Sequence, residues 1–262
     1  VLPFASVFNP APDRVATCGS AKTWGAVLGV LGLPCNYARM PNLPALLTGE
    51  DVDLFPDDDL RRLLANGLLL EGAAAEKLCQ RGYGADLGVT AEPWTSARVS
   101  GERWGETVLG PAVRYSRLTP TDPQTRIHSV LLHRKSGVSE SFTEVGPAVT
   151  LFANASGARV AVFAASVGSQ RELSSFGFYD EDRKRELVEL LGWLCCHPVA
   201  FYYPGDAEVY LKLRRFADGR HLLAFLNLGH DPLTVIPLAS PYAIAKAEMI
   251  APEGSWLDVA YA

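Results

Sequence analysis

Apolar and polar residues recur with two different periods along this chain, and the change of period divides it. The first part is helical in spacing, with short apolar runs between. Trp24, Val27, Leu28 and Leu31 fall at i, i+3, i+4 and i+7, so all four share one face of a helix that Gly32 and Pro34 stop. A strand is expected before it, at Arg14 to Thr17, and Leu46 to Phe55 reads as a second short strand with its exit loop. Pro56 and Asp57-Asp58-Asp59 open the next helix, because carboxylates suit its positive end, and Leu60, Leu63 and Leu64 give its inward face. Gly67 ends it. Leu68 to Leu70 is a continuous apolar strand of the kind that parallel sheets cover on both faces, and Ala73 to Arg81 forms a helix closing on Gly82. Strands and helices alternating over short connections predict an α/β domain with an open, mostly parallel sheet and helices on both sides.

From about Gly88 to Gly168 strands dominate: Arg126 to His133, Ala148 to Phe152 and Arg159 to Phe163, the last two joined by a turn at Asn154-Ala155-Ser156-Gly157. A final helix begins near Asp180-Glu181-Asp182, and Leu187, Leu190, Leu191 and Leu194 form its buried stripe. Beyond Pro204-Gly205 the helical period disappears. Val209, Leu211 and Leu213 alternate with Tyr210, Lys212 and Arg214, Asp218-Gly219 makes a hairpin turn, and Leu222 to Leu228 follows as a central strand. Thr234 to Leu238, Ala245 to Ile250 and Trp256 to Tyr261 complete five short strands, which predict a small antiparallel sandwich.

Composition narrows the function classes. With 48% hydrophobic and 20% charged residues, a chain of 262 residues can bury a substantial core. Its 24 basic and 29 acidic residues give a net charge of -5, and no basic cluster interleaves with aromatics, so nucleic acid is not expected as a partner. No apolar run is long enough to span a bilayer, and no secretory leader is visible, so neither membrane association nor export is expected. Cys18, Cys35, Cys79, Cys195 and Cys196 lack paired spacing, which suits reduced thiols in a cytoplasm and resembles no zinc site; no metal or other cofactor is expected. The sequon at Asn154-Ala155-Ser156 is too short a pattern to imply a glycan. Because the chain opens on Val1, it is expected to be a piece of a longer polypeptide.

The most informative stretch joins the apolar strand to the helix at Glu71-Gly72-Ala73-Ala74. Many α/β enzymes present a nucleophile on such a turn, and this one offers only hydrogen and methyl groups. Gly67 to Val89, the run Gly157 to Phe163 and the stretch Asp218 to Leu228 together resemble the C-terminal part of bacterial glycoside hydrolases of the β-galactosidase trimerisation type. The resemblance covers nearly the whole chain and rests on order and pattern. It implies a flavodoxin-like, class I amidotransferase-like α/β domain over residues 1–204, followed by a β-sandwich domain over residues 205–262. It also implies a catalytic barrel that these residues do not contain, a homo-oligomer in the full-length enzyme, and a supporting role for this part. A working amidotransferase carries cysteine where this chain has Ala73, so amide hydrolysis at that position is not expected.

Four further groups of residues are candidates for chemistry. Cys18, between a strand and a helix, is the alternative nucleophile for an amide or ester hydrolase; the competing reading is a small buried residue without a base. Glu71, at a strand end, is placed to contact a sugar hydroxyl or act as an acid, or else to accept bonds from backbone N–H groups of the next turn. Trp94, Trp104 and Tyr115, with Arg98, Arg103 and Arg114 nearby, are the candidate surface for carbohydrate or for another domain, since aromatic faces stack on sugar rings. That surface also admits a third function, a carbohydrate-binding module. The acidic runs at Asp57 and Asp180 read as helix starts.

Overall fold

The computed structural model describes residues 2–3, 24–36, 43–94, 99–112, 114–134, 141–167 and 178–260. The expected strand at Arg14 to Thr17 and Cys18 lie outside them. In chain order the elements begin with β1 (Leu2–Pro3), α1 (Trp24–Val30), β2 (Cys35–Asn36), β3 (Ala45–Leu47), α2 (Gly49–Leu54), α3 (Asp57–Asn66), β4 (Leu68–Leu70) and α4 (Gly72–Gln80). Then come α5 (Gly84–Leu87), β5 (Val89–Pro93), β6 (Gly101–Trp104), β7 (Thr107–Leu109), β8 (Ser116–Pro120), β9 (Arg126–Arg134), β10 (Phe142–Ala153) and β11 (Arg159–Phe163). The chain continues through α6 (Glu181–Cys195), β12 (Val209–Arg215), β13 (His221–Asn227), β14 (Glu248–Ile250) and β15 (Trp256–Asp258).

The central sheet has seven strands in the order β3-β4-β11-β10-β9-β6-β7. Only the β3/β4 and β4/β11 pairs are parallel; the others are antiparallel. This corrects the mostly parallel sheet expected from the sequence. Parallel neighbours need a crossover of roughly a dozen residues or more, which α2 and α3 supply between β3 and β4, whereas the Asn154–Gly157 turn joining β10 to β11 is too short for anything but a hairpin. Within that turn Asn154 is buried, its Nδ2 donating to the Leu64 carbonyl at 3.0 Å and its Oδ1 accepting from the Ser156 and Ala158 N–H groups. An amide held this way has no room for a glycan.

The apolar stripes fall where the spacing put them. Trp24, Val27 and Leu28 of α1 and Leu31 just after it are buried, as are Leu60, Leu63 and Leu64 of α3 and the stripe of α6. Trp24 anchors the core: its ring lies 5.4 Å from Phe163 and 5.7 Å from Phe178, and its indole N–H donates to Leu47 O. The acidic runs are helix starts, with Asp57 to Asp59 in the first turn of α3 and Asp180 accepting from the Asp182 N–H as the N-cap of α6. The segment after Leu46 differs. The expected exit loop after Leu46 is helix α2, opened by Thr48 and Asp51, whose carboxylate accepts from both the Thr48 N–H at 2.6 Å and its hydroxyl at 2.8 Å.

The C-terminal part forms two separate two-stranded sheets, β12-β13 and β14-β15, instead of a five-stranded sandwich. Thr234 to Leu238 is irregular, since Pro232 and Pro237 withhold N–H donors that a ladder there would need. Val209 and Leu211 are buried where β12 lies along α1. The contact requires Gly29, because a Cβ there would come 2.5 Å from the Tyr210 ring. Among the described residues no helix is long and apolar enough to cross a membrane.

Candidate functional site

The three parallel strands end together, and open α/β sheets place their ligand-facing groups at such strand ends. Here the position is closed by a carboxylate. Glu71, buried as the N-cap of α4, accepts from the Gly49 N–H at 2.8 Å through Oε1 and from the Val167 N–H through Oε2. It thus ties the residues following β3, β4 and β11 to one another. Of the two roles expected for Glu71, the backbone-bonded one describes these contacts, although the donors come from the segments after β3 and β11 and not from the first turn of α4. Asp51 lies nearby, fully buried, with its Oδ1 unpartnered among the described residues. Burial, reinforced by the neighbouring charges of Glu71 and Glu50, pushes its carboxyl up to about 7 against the bonds from Thr48.

The turn itself is an ordinary helix start. Gly72 donates to Ala165 O at 3.2 Å and Ala73 to Ser166 Oγ at 3.3 Å. Among the described non-glycine residues only Cys196 has a positive φ, so Ala73 carries none of the backbone strain of a nucleophile turn. Glycine is required at 72 by space: a Cβ would lie 2.4 Å from both Ala164 O and Ser116 Oγ. Beneath it, Ser116 donates to Glu76, which also faces Arg114 at 3.4 Å. The hydroxyl and carboxylate satisfy each other inside the fold.

The candidate aromatics are dispersed. Trp94 is half-buried against the core, with Arg117 over its ring at 5.4 Å and its indole N–H unpartnered among the described residues. Trp104 stands on β6, its ring 6.2 Å from His128. Tyr115 is buried, its hydroxyl oxygen accepting from the Ala112 N–H, and burial raises its phenol to about 12. No ring contact joins the three. Arg103 pairs with Glu144, and Arg98 lies outside the described residues.

A second polar centre escaped sequence reasoning. Arg183 on α6 is buried with its guanidinium between Glu102 of β6 and Glu186 of α6, and Ser129 of β9 donates to Glu102. Phe163 and Phe178 each lie 5.4 Å from the guanidinium. Two carboxylates for one cation leave an excess negative charge in a dry place, and burial with the facing Glu102 raises Glu186 well above the carboxylate range. His128 Nε2 stands 3.7 Å from Glu186 Oε1, both atoms otherwise without a hydrogen bond among the described residues, and burial lowers that imidazole. The Arg183-x-x-Glu186 spacing was a visible helical pair, yet its partner Glu102 is distant in sequence and only the fold brings it in. Burial also raises the thiols of Cys79 and Cys195, so neither is an activated nucleophile.

No group of three or more metal-ligating side chains forms among the described residues. No protein-family model and no curated protein matches the chain. Among solved structures it is similar to Gan42B, a GH42 beta-galactosidase from G. stearothermophilus, and to that enzyme's catalytic mutant. Each shares 11% identity at a TM-score of 0.42, over 86% of this chain. The chain spans 38% of the length of either enzyme.

Proposed function

We propose that this chain is a non-catalytic accessory and assembly region of a carbohydrate-active hydrolase, with residues 1–204 as its α/β unit and 205–262 as its strand-rich unit. One observation carries the non-catalytic part: the strand-to-helix turn holds Gly72, Ala73 and Ala74 in relaxed backbone, with both Glu71 oxygens occupied by backbone N–H groups. The carbohydrate context rests on the sequence resemblance. Assembly is supported by the C-terminal hairpins, where Leu226, Met249, Ile250 and Trp256 are each more than half exposed, a concentration that marks contact surfaces. The partners proposed are a catalytic domain of the same polypeptide and further copies of it.

The test uses this chain and the full reading frame that encodes it. The chain alone is expected to turn over neither aryl galactosides, aryl esters nor glutamine, while Leu226→Asp and Trp256→Asp in the full-length product disrupt its assembly in sedimentation. Enzyme-like turnover by the chain, or a full-length product with no separate catalytic domain, overturns the proposal.

A further inference from the structure

Two cavities flank the segment after α6. The larger, about 630 Å³, includes Arg159, whose guanidinium donates to Trp193 O and stacks on the Trp193 ring at 5.3 Å. That cation is committed to the fold. The second, about 340 Å³, is of small-ligand size and lies where the end of α6 meets the β12-β13 hairpin. Leu191, Val199 and Leu213 give it apolar walls.

Its polar side is built by strand register. Arg215 and His221 are direct cross-strand partners, so both side chains project from one face of the hairpin, beside Leu213 two residues back. The His221 and Tyr242 rings are within 16° of parallel with centroids 6.1 Å apart, and buried Phe201 wedges against both at 5.0 and 6.1 Å. An aromatic wall is therefore held in place beside a guanidinium. Other arginines of the hairpin are engaged: Arg214 stacks on Phe216, and Arg220 pairs with Asp218. The Arg215 side chain has no hydrogen bond or ion pair to any described residue. In a chain of net charge -5, the described lining holds an arginine and two histidines and no acid.

We propose that this cavity binds a small six-membered ring bearing a carboxylate, the ring face lying on the Tyr242-His221 wall and the carboxylate taken by Arg215. A planar fork of donors matches a carboxylate in two parallel hydrogen bonds, and an aromatic face accepts either another aromatic ring or the C–H face of a sugar. Aromatic carboxylates and uronic acids share this chemistry. The site has no residue in common with the turn at Gly72.

Histidine ring resonances of the intact chain, followed by NMR during titration with benzoate, glucuronate and neutral glucose, test the assignment. Saturable shifts of His221 with either acid are expected: benzoate alone identifies an aromatic ligand, glucuronate alone a uronic acid, and both the shared class. Arg215→Gln should weaken binding about tenfold or more, as loss of a charge-assisted bond does, and Tyr242→Ala should weaken it too. Unchanged thermal midpoints of these exposed-residue variants show that the fold is kept. The proposal falls if neither acid binds, if glucose binds as well as glucuronate, or if Arg215→Gln leaves binding intact.

Discussion

Asp51 offers a quantitative check on the packing at the strand ends. Its carboxyl is buried, accepts two bonds from Thr48 through Oδ2, and leaves Oδ1 unpartnered among the described residues. An ionised group there is costly, so the folded protein holds the proton up to about 7 against an ordinary value of 3.8. Because the folded state binds the proton more tightly, the group's contribution is most favourable below pH 3.8 and is lost as pH rises toward 7. The gap of about 3.2 pH units, at roughly 1.36 kcal/mol each, is about 4 kcal/mol. Asp51→Asn keeps the acceptor for Thr48 and cannot ionise. Denaturant unfolding of both proteins from pH 4 to pH 8, read by tryptophan emission, should therefore show the variant gaining on the wild type by up to about 4 kcal/mol across the range, with nearly all of the change below pH 7. Subtracting the two profiles removes the effect of Glu186, which has the same sign. Parallel profiles would refute the reasoning, since they would mean that Asp51 is solvated or permanently paired.

Two other substitutions probe neighbouring contacts. Arg183→Met strands Glu102 and Glu186 without their cation and should cost about 3–5 kcal/mol in denaturant unfolding; adding Glu102→Gln and Glu186→Gln should restore part of it. A variant as stable as the wild type would show that the cluster is wet. Gly72→Ala should cost about 1–3 kcal/mol, and Ser116→Ala in the same chain should not relieve it, because the backbone oxygen of Ala164 stays 2.4 Å from the new methyl group.

What the sequence disclosed was periodicity. The face of α1, the stripe of α6, the run Leu68 to Leu70 and the acidic starts of α3 and α6 all follow from local spacing. Strand direction did not follow, because Arg126 to Phe163 alternates in the same way whichever neighbour it joins, and direction was decided by connection length. Helix α2 was missed although Thr48-x-x-Asp51 is a start signal, since the short apolar run before it masked the change of period. The charged cluster was hidden for a different reason. Arg183 and Glu186 share α6 with a leucine stripe, and helical charges ordinarily face water; here β6 and β9 cover that side with Glu102 and Ser129. The candidate cavity depends on Arg215 meeting His221 across a hairpin and on Tyr242 returning to them, a convergence that no local pattern encodes.

The turn at Gly72 shows how far a residue pattern underdetermines chemistry. Glycine and alanines after an apolar strand suit both a catalytic elbow stripped of its nucleophile and a plain helix start, and only backbone angles separate them. An elbow pushes its central residue out of helical geometry toward solvent, whereas Ala73 is half-buried with helical neighbours and an N–H bonded to Ser166. Ala73→Cys makes the distinction measurable. A thiol near the start of α4 gains some acidity from the helix dipole, so iodoacetamide should modify it faster than Cys79 or Cys195, half-buried thiols whose surroundings raise them. Reactivity is not catalysis, however. With both Glu71 oxygens occupied and Glu76 bonded to Ser116, no general base among the described residues is placed to activate the thiol or to protonate a leaving amine, and glutamine hydrolysis should stay at background. Turnover of glutamine by Ala73→Cys would mean that the catalytic framework survives intact and that the scaffold reading of this turn is wrong.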